Sequence, residues 1–332
     1  MNIGIIGTGR IAKRFVPECF AVPGAEITAV YNPHAESAER FVEQAFQKSA
    51  SGVPAALDHI GNIWNVVDAV YIASPHETHI DYVKAALEHG KHVLCEKPLA
   101  FLKHDAEDVF ALAADCGLVL LEGLKTAYAP GYQKLIETAK SGIIGEIRYI
   151  DACFTKLESP ESRELTDRVY GGSFLELGSY VLLPVFDLLG AAYQHLSFDS
   201  LIGETGSDDT RPDRYRAGGI DLFTKAAFRY ENAMATLVCG LGVKSEGRLV
   251  MGGTKGYIVV PAPWWKTTRF EVHFENPSDV RVFEEPFEGD GLRYEIREFV
   301  NRAEMKQANS ASVEVRRSIW MAEVMERFYR PD

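Results

Sequence analysis

The sequence predicts an α/β protein: an N-terminal doubly wound parallel sheet followed by an α+β domain built on a large, mostly antiparallel sheet. Three observations predict it. Short apolar, β-branched runs alternate with helix-length segments over the first third of the chain. A glycine-rich turn joins the first of these runs to the first helical segment. The alternation then gives way, from about residue 196, to consecutive strand-like runs with Gly and Pro punctuation. A chain of 332 residues exceeds the usual span of one domain. The change of rhythm places the domains at 1–122 and 123–332.

The strand-like runs of the first domain cover residues 2–6, 27–31, 69–72, 92–95 and 118–121, with helical patterns at 10–21, 35–47, 78–89 and 105–115. Strands alternating with helices of this length form βαβ units, and the sheet they build is buried on both faces. Beyond residue 122 the pattern predicts a helix over 130–140, ended by Ser141-Gly142, and a strand over 146–154. A markedly apolar helix over 173–189 stops at Gly190, strands fill 196–282, and two helices close the chain. Residues 203–219, rich in Gly, Asp, Thr and Arg, read as a mobile surface loop.

Composition excludes several function classes. The 47 acidic side chains outnumber the 35 basic ones, for a formal net charge of −12, so phosphate-rich partners are repelled overall. Neither nucleic acid nor an anionic membrane surface is an expected partner. No stretch reaches the roughly 18 apolar residues of a membrane span. The N-terminus lacks a basic segment followed by a long apolar one, and a cytoplasmic protein is expected. The cysteines (Cys19, Cys95, Cys116, Cys153 and Cys239) are widely spaced without a C-x-x-C pair, and read as reduced, buried thiols. His76, His79, His89 and His92 fall near one another, but H-E-T-H is not H-E-x-x-H and nothing completes a tetrahedral set, so no metal is expected.

The most informative turn is Gly7-Thr8-Gly9-Arg10-Ile11-Ala12, which reads G-x-G-x-x-A directly between the first strand and the first helix. Gly7 permits the tight turn, Gly9 lets backbone approach a pyrophosphate, and Ala12 lets the helix pack closely on the strand. The helix N-terminus adds unpaired N–H groups and partial positive charge. Together these predict a Rossmann-type dinucleotide site. In the expected ribose-binding position stands Asn32, where an acidic residue would favour NAD. Asn32 lacks the charge that repels a 2′-phosphate, and Arg10, His34 and Arg40 offer positive charge nearby. The balance favours NADP, with NAD as the alternative.

Further on, Ala73-Ser74-Pro75-His76-Glu77-Thr78-His79 and the run ending in Cys95-Glu96-Lys97-Pro98 resemble the Gfo/Idh/MocA oxidoreductases, the family named for glucose–fructose oxidoreductase and inositol dehydrogenase. The E-K-P at residues 96–98 is that family's best-known signature. The resemblance implies a Rossmann domain followed by an α/β domain whose open sheet often forms an oligomer interface, so a homodimer is expected. It also implies that Ser74, Pro75, His79 and Glu96 line the cofactor. Lys97 is both cofactor contact and catalytic group in this reading. Its position agrees with elementary chemistry, because ligands bind at the carboxyl ends of parallel strands and an ammonium there stabilises charge developing on a substrate oxygen.

A second element, Gly171-Gly172-Ser173-Phe174-Leu175-Glu176-Leu177-Gly178-Ser179-Tyr180, is similar to the family's G-G-G-x-x-x-D-x-G-x-[HY] motif. Glu176 and Tyr180 are four apart and share one helical face, so both can meet one substrate, and Tyr180 is a candidate general acid/base. Glu176 replaces the usual Asp, and Leu183 stands where inositol-dehydrogenase-like members carry another Asp. The chain therefore looks closest to the dihydrodiol dehydrogenase and glucose–fructose oxidoreductase branch. Near residues 121–130 the resemblance is imperfect, with Lys125 in place of a bulky aromatic; Lys125 is a candidate substrate contact. Trp264 and Trp265 read as a sheet-edge element that is dimer interface, substrate wall or core. The implied activity is hydride transfer between NAD(P) and a carbonyl or carbinol carbon of a small sugar-, polyol- or dihydrodiol-like substrate in an interdomain cleft. Two rivals remain: a dinucleotide-binding regulator without turnover, and a reductase of a larger conjugated substrate.

Overall fold

Valine- and isoleucine-rich runs that bury both faces become the strands of the first sheet. The computed structural model describes residues 1–47, 52–203, 219–306 and 312–330. Its first part runs β1 (Asn2–Ile6), α1 (Arg10–Phe20), β2 (Glu26–Tyr31), α2 (Ala35–Phe46), β3 (Ala55–Leu57), β4 (Ala69–Ile72), α3 (His79–Glu88), β5 (His92–Glu96), α4 (Lys103–Asp115) and β6 (Leu120–Gly123). The six strands are all parallel, in the order β3-β2-β1-β4-β5-β6. That order reverses direction between β1 and β4, which is the topological switch point of a Rossmann sheet. Ile3, Ile5, Ile6, Val70, Tyr71 and Ile72 are all essentially inaccessible, as a two-sided burial requires. The short edge strand β3 escapes the sequence pattern, because Ala-Ala-Leu carries no β-branched signal.

The second part contains α5 (Pro130–Lys140), β7 (Ile147–Thr155), α6 (Arg163–Thr166), α7 (Ser173–Leu188), β8 (His195–Ile202), β9 (Asp221–Arg229), β10 (Met234–Gly240), β11 (Leu249–Gly253), β12 (Gly256–Val260), β13 (Arg269–Phe274) and β14 (Val280–Glu284). These eight strands form one sheet, β14-β13-β12-β11-β7-β10-β9-β8, antiparallel throughout except where β10 pairs with β7. α7 packs across β7, β9 and β10, which explains why it is apolar nearly all round. The chain closes with α8 (Leu292–Glu304) and α9 (Val313–Tyr329). Residues 204–218, in the expected mobile loop, lie outside the described residues.

The two compact units are not the contiguous halves expected at residue 122. One unit is Met1–Lys125 with Glu288–Ile319; the other is Thr126–Phe287 with Trp320–Asp332. The return of α8 to the first unit has a local cause. Its apolar face, with Leu292, Ile296, Phe299 and Val300 buried, packs against α1 and β5. Arg293 beside that face meets Glu18 on α1, with Nη2 2.8 Å from Oε1 and Nε 3.2 Å from Oε2. The Arg293 backbone N–H also donates to Oε2 at 3.1 Å.

Four of the five cysteines are buried as expected, and Cys116 is the exception, exposed just beyond the end of α4. A thiol following the last helical turn has left the apolar face that buries the others. Among the described residues no helix is long and apolar enough to cross a membrane, and no cluster of three His, Cys, Asp or Glu side chains is disposed to hold a metal ion.

The Glu18–Arg293 pair makes a stability prediction with a defined sign. Burial alone would raise the Glu18 carboxyl, but the hydrogen bonds from Arg293 outweigh it and hold the group below its ordinary value of 4.5. A depressed carboxyl stabilises the fold above its unfolded value and loses that contribution as pH falls through the folded one. Arg293→Leu leaves Glu18 buried without its partner and should cost about 2 kcal/mol at pH 7. In urea unfolding the gap to the parent should close as the pH falls below 4.5.

Candidate functional site

The site residues of the first unit gather at the carboxyl edge of its parallel sheet. Gly7 follows β1 with φ of 101°, a conformation that disfavours side chains, and a Cβ there would lie 2.5 Å from the Ala73 carbonyl oxygen. The turn is closed by Gly7 N–H donating to the Tyr31 carbonyl at 2.9 Å. Gly9, at the N-cap of α1, is different: a Cβ placed on it meets no protein atom within 4 Å. Arg10 is exposed beside it, in the first turn of α1, whose N–H groups have no partner within the helix. Ala12 is fully buried against the sheet, as close helix packing demands.

Asn32 stands just past β2 and is held on both ends of its amide. Its Nδ2 donates to Thr8 Oγ1 at 2.9 Å, and its Oδ1 accepts from the His34 N–H at 2.9 Å. This ties the glycine turn to the turn after β2. Thr8, Ile11 and Asn32 are half-buried. Past β4, Ser74 is half-buried and accepts from Thr78 Oγ1 at 2.7 Å, while Pro75 is exposed.

His79, expected to line the cofactor, lies in the interior. It is completely buried, with Nδ1 2.9 Å from the Pro98 carbonyl oxygen and Nε2 3.1 Å from that of Ser74. It joins the turn after β4 to the turn after β5, so it shapes the cofactor edge from beneath. Burial pushes its pKa down to about 4, against the two carbonyls that favour the cation. The neutral ring has one N–H and donates to one carbonyl at a time.

Glu96, the last residue of β5, is also interior, and its Oε1 accepts from the Tyr71 hydroxyl at 2.5 Å. Burial pushes the Glu96 carboxyl up, while the Tyr71 hydrogen bond and the charges of Lys97 and Lys125 pull it down. Lys97 follows at the strand end and is 8% exposed, and its peptide bond to Pro98 is cis. Lys125, expected to face substrate, is 6% exposed, and its Nζ donates to the Asp290 carbonyl at 2.7 Å. Glu122 completes this interior group, accepting from Ser318 Oγ at 2.5 Å and from the Leu99 N–H at 3.0 Å.

In the second unit the candidates lie on α7. Between Ser173 and Phe186 every residue is buried except Glu176 and Tyr180, which are half-buried one helical turn apart. They form the one open stripe on an otherwise enclosed helix segment. The start of α7 is held by Asp221, whose Oδ2 accepts from the Phe174 N–H at 2.9 Å and whose carbonyl accepts from Ser173 Oγ at 2.8 Å. Gly172 has φ of 108°, and a Cβ on it would lie 2.1 Å from Asp221 Oδ1, so the motif's glycine makes room for this cap. Phe154 packs edge-on to the Tyr180 ring at 5.1 Å and stacks on Trp265 at 3.5 Å. Trp264 is core, its indole N–H donating to the Cys153 carbonyl at 2.9 Å, whereas Trp265 is half-buried.

A parallel sheet of order 3-2-1-4-5-6 carrying this glycine turn defines a dinucleotide-binding protein of the Rossmann class. Residues 1–124 match the model of the oxidoreductase family with an NAD-binding Rossmann fold named GFO_IDH_MocA. Over 194 residues the chain is 36% identical to dTDP-3,4-didehydro-2,6-dideoxy-alpha-D-glucose 3-reductase of Actinomadura kijaniata, covering 58% of this chain and 57% of that one. It is 27% identical to scyllo-inositol 2-dehydrogenase (NADP(+)) IolU of Bacillus subtilis (strain 168), over 98% of this chain and 95% of that one. The fold matches a crystal structure of KijD10, a 3-ketoreductase from Actinomadura kijaniata in complex with NADP and TDP-benzene. There the TM-score is 0.78 at 24% identity, covering 98% of this chain and 96% of that one. The match spans a little over half the length of the reductase from the same organism. The chain is thus similar over residues 1–124 to the Gfo/Idh/MocA oxidoreductases with an NAD-binding Rossmann fold, and over nearly its whole length to a dehydrogenase named as NADP(+)-dependent.

Sequence reasoning missed Tyr71, Asp221 and Phe154 as parts of these sites. Each is an ordinary strand, turn or helix residue until tertiary pairing gives it a partner. The spacing of Gly172 before an apolar helix was the one available signal for a capping group. The buried His79 yields a direct measurement: in an NMR titration its ring should protonate near pH 4, well below an ordinary histidine, and titration near 6.5 would contradict its enclosure.

Proposed function

We propose that this protein is an NADP-dependent reductase or dehydrogenase that moves a hydride between the nicotinamide and a carbonyl or carbinol carbon of a small polar substrate. The observation that carries this reading is the shared edge of one sheet. The open α1 N-terminus follows β1, Lys97 follows β5, and only β4 lies between those strands. Ligands of doubly wound sheets bind at this edge, beside the switch point.

The residues present fit the dinucleotide. Gly9 admits the pyrophosphate to the N–H groups of α1, whose partial positive charge complements it. Asn32, an amide where NAD-specific sites carry a carboxylate, leaves a 2′-phosphate unopposed, and exposed Arg10 offers it a cation. IolU is NADP(+)-dependent by name and the KijD10 structure contains NADP, which supports the same choice here.

The nicotinamide supplies or accepts the hydride. Lys97 donates a proton to the substrate oxygen in the reducing direction and stabilises the charge that develops there. The charge of Lys97 in turn pulls the buried Glu96 and Glu122 carboxyls down against the effect of burial. Tyr180 is the second acid/base group, with Glu176 one turn away to orient substrate hydroxyls. A half-buried acid and phenol on an otherwise sealed helix suit a hydroxyl-rich ligand such as a sugar or polyol. The relatives are a ketosugar reductase and an inositol dehydrogenase by name, in keeping with that class.

The test is a titration with NADPH and NADH followed by tryptophan fluorescence, then NADPH oxidation against a panel of aldoses, ketoses, inososes and nucleotide-linked ketosugars. Binding without oxidation by any of them would refute the reductase. Lys97→Ala should bind NADPH nearly as the parent does while turnover falls at least ~100-fold, by the usual scale of acid–base catalysis. Gly9→Ala should melt with the parent, because its methyl meets no protein atom, yet bind NADPH at least about tenfold more weakly, since that methyl occupies the pyrophosphate approach.

A further inference from the structure

α8 carries a glutamate into the interior of the first unit. Glu295 is completely enclosed, and neither of its carboxyl oxygens has a hydrogen-bond partner among the described residues. α8 packs against α1 and β5. The charged groups facing Glu295 are Glu96 at the end of β5, Lys125 beyond β6 and Glu18 on α1. Glu18 is already paired with Arg293, and Lys125 donates to the Asp290 carbonyl. Tyr71 and Cys95 are the neighbouring titratable groups on β4 and β5, and Tyr71 donates to Glu96.

The two carboxyls are therefore unequal hosts for a negative charge. Glu96 accepts a phenolic hydrogen bond and faces the ammonium groups of Lys97 and Lys125. Glu295 has no hydrogen bond and faces the charge of Glu96. Low-dielectric surroundings cannot hold two such charges together, and the unsolvated site gives way first. We propose that Glu295 is held protonated and neutral inside the first unit, so that the negative charge beside Lys97 stays on Glu96, and that Glu295 ionises only when Glu96 is neutral. Burial first, and then repulsion by Glu96, pushes the Glu295 carboxyl well above the usual carboxylate range, in keeping with this arrangement.

The inference rests on the reading of Lys97 as the proton donor, but its test reads protonation and needs no turnover. Infrared spectra of protein labelled with carboxyl-13C glutamate should show a protonated-carboxyl band at pH 7 that Glu295→Gln lacks and Glu295→Asp shifts. Glu96→Gln, which removes the opposing charge, should weaken that band at pH 7 as Glu295 ionises instead. Absence of the band in the parent overturns the proposal, as does a band that Glu295→Gln retains. Should Glu295→Gln not fold, the band shift in Glu295→Asp decides the protonation. Failure of the reductase reading would appear separately, as no NADPH oxidation in the parent.

Discussion

The carboxyl edge of the first sheet depends on how closely the ends of β1 and β4 approach. β1 passes its register to β4 through the Ala73 N–H, which donates to the Ile6 carbonyl at 2.8 Å, and the next residue must then turn into α1. A side chain on Gly7 would collide with the Ala73 backbone, so the turn exists only because that position has none. From this constraint follow the placement of Gly9 at the head of α1, the contact of Thr8 with Asn32, and the seat of Ser74 above His79. At the head of α1 itself, by contrast, a side-chain carbon on Gly9 would meet no protein atom within 4 Å.

Behind that edge the interior is unusually rich in ionisable groups. Glu96, Lys97, Glu122, Lys125 and Glu295 are all buried, together with Tyr71 and His79. Such a set persists only when each buried ionisable group is paired, hydrogen-bonded or held neutral. Glu122 is satisfied by Ser318 and Leu99, Glu96 by Tyr71, and Lys125 by the Asp290 carbonyl. His79 is held neutral by burial, which removes a cation that would otherwise compete with Lys97. Several of these partners come from residues 288–319, so the C-terminal segment completes the electrostatics of a sheet formed by the first third of the chain.

The second unit solves a different problem. An apolar helix that crosses a sheet needs a firm start, and this one also carries an interruption of its buried surface. Asp221 supplies the first by satisfying the N-terminal donors of α7. Glu176 and Tyr180 supply the second, with the Tyr180 ring set against Phe154 and Phe154 in turn stacked on Trp265.

Much of this was determined by the sequence alone. Continuous β-branched runs and helix-length apolar patterns located β1, β2, β4, β5 and the helices between them to within a residue or two, because these elements bury continuous faces. The turn at Gly7 and Gly9, the strand-end Lys97 and the i, i+4 pair Glu176 and Tyr180 were legible for the same reason: their chemistry depends on spacing along the chain. What only the tertiary structure decided is where charge and enclosure fall. The enclosed positions of His79 and Lys125, the return of α8 to the first unit, the capping of α7 by Asp221 and the isolation of Glu295 all depend on residues far apart in sequence. No local pattern records them, since the free energy of a buried polar group is set by the partners that folding brings to it.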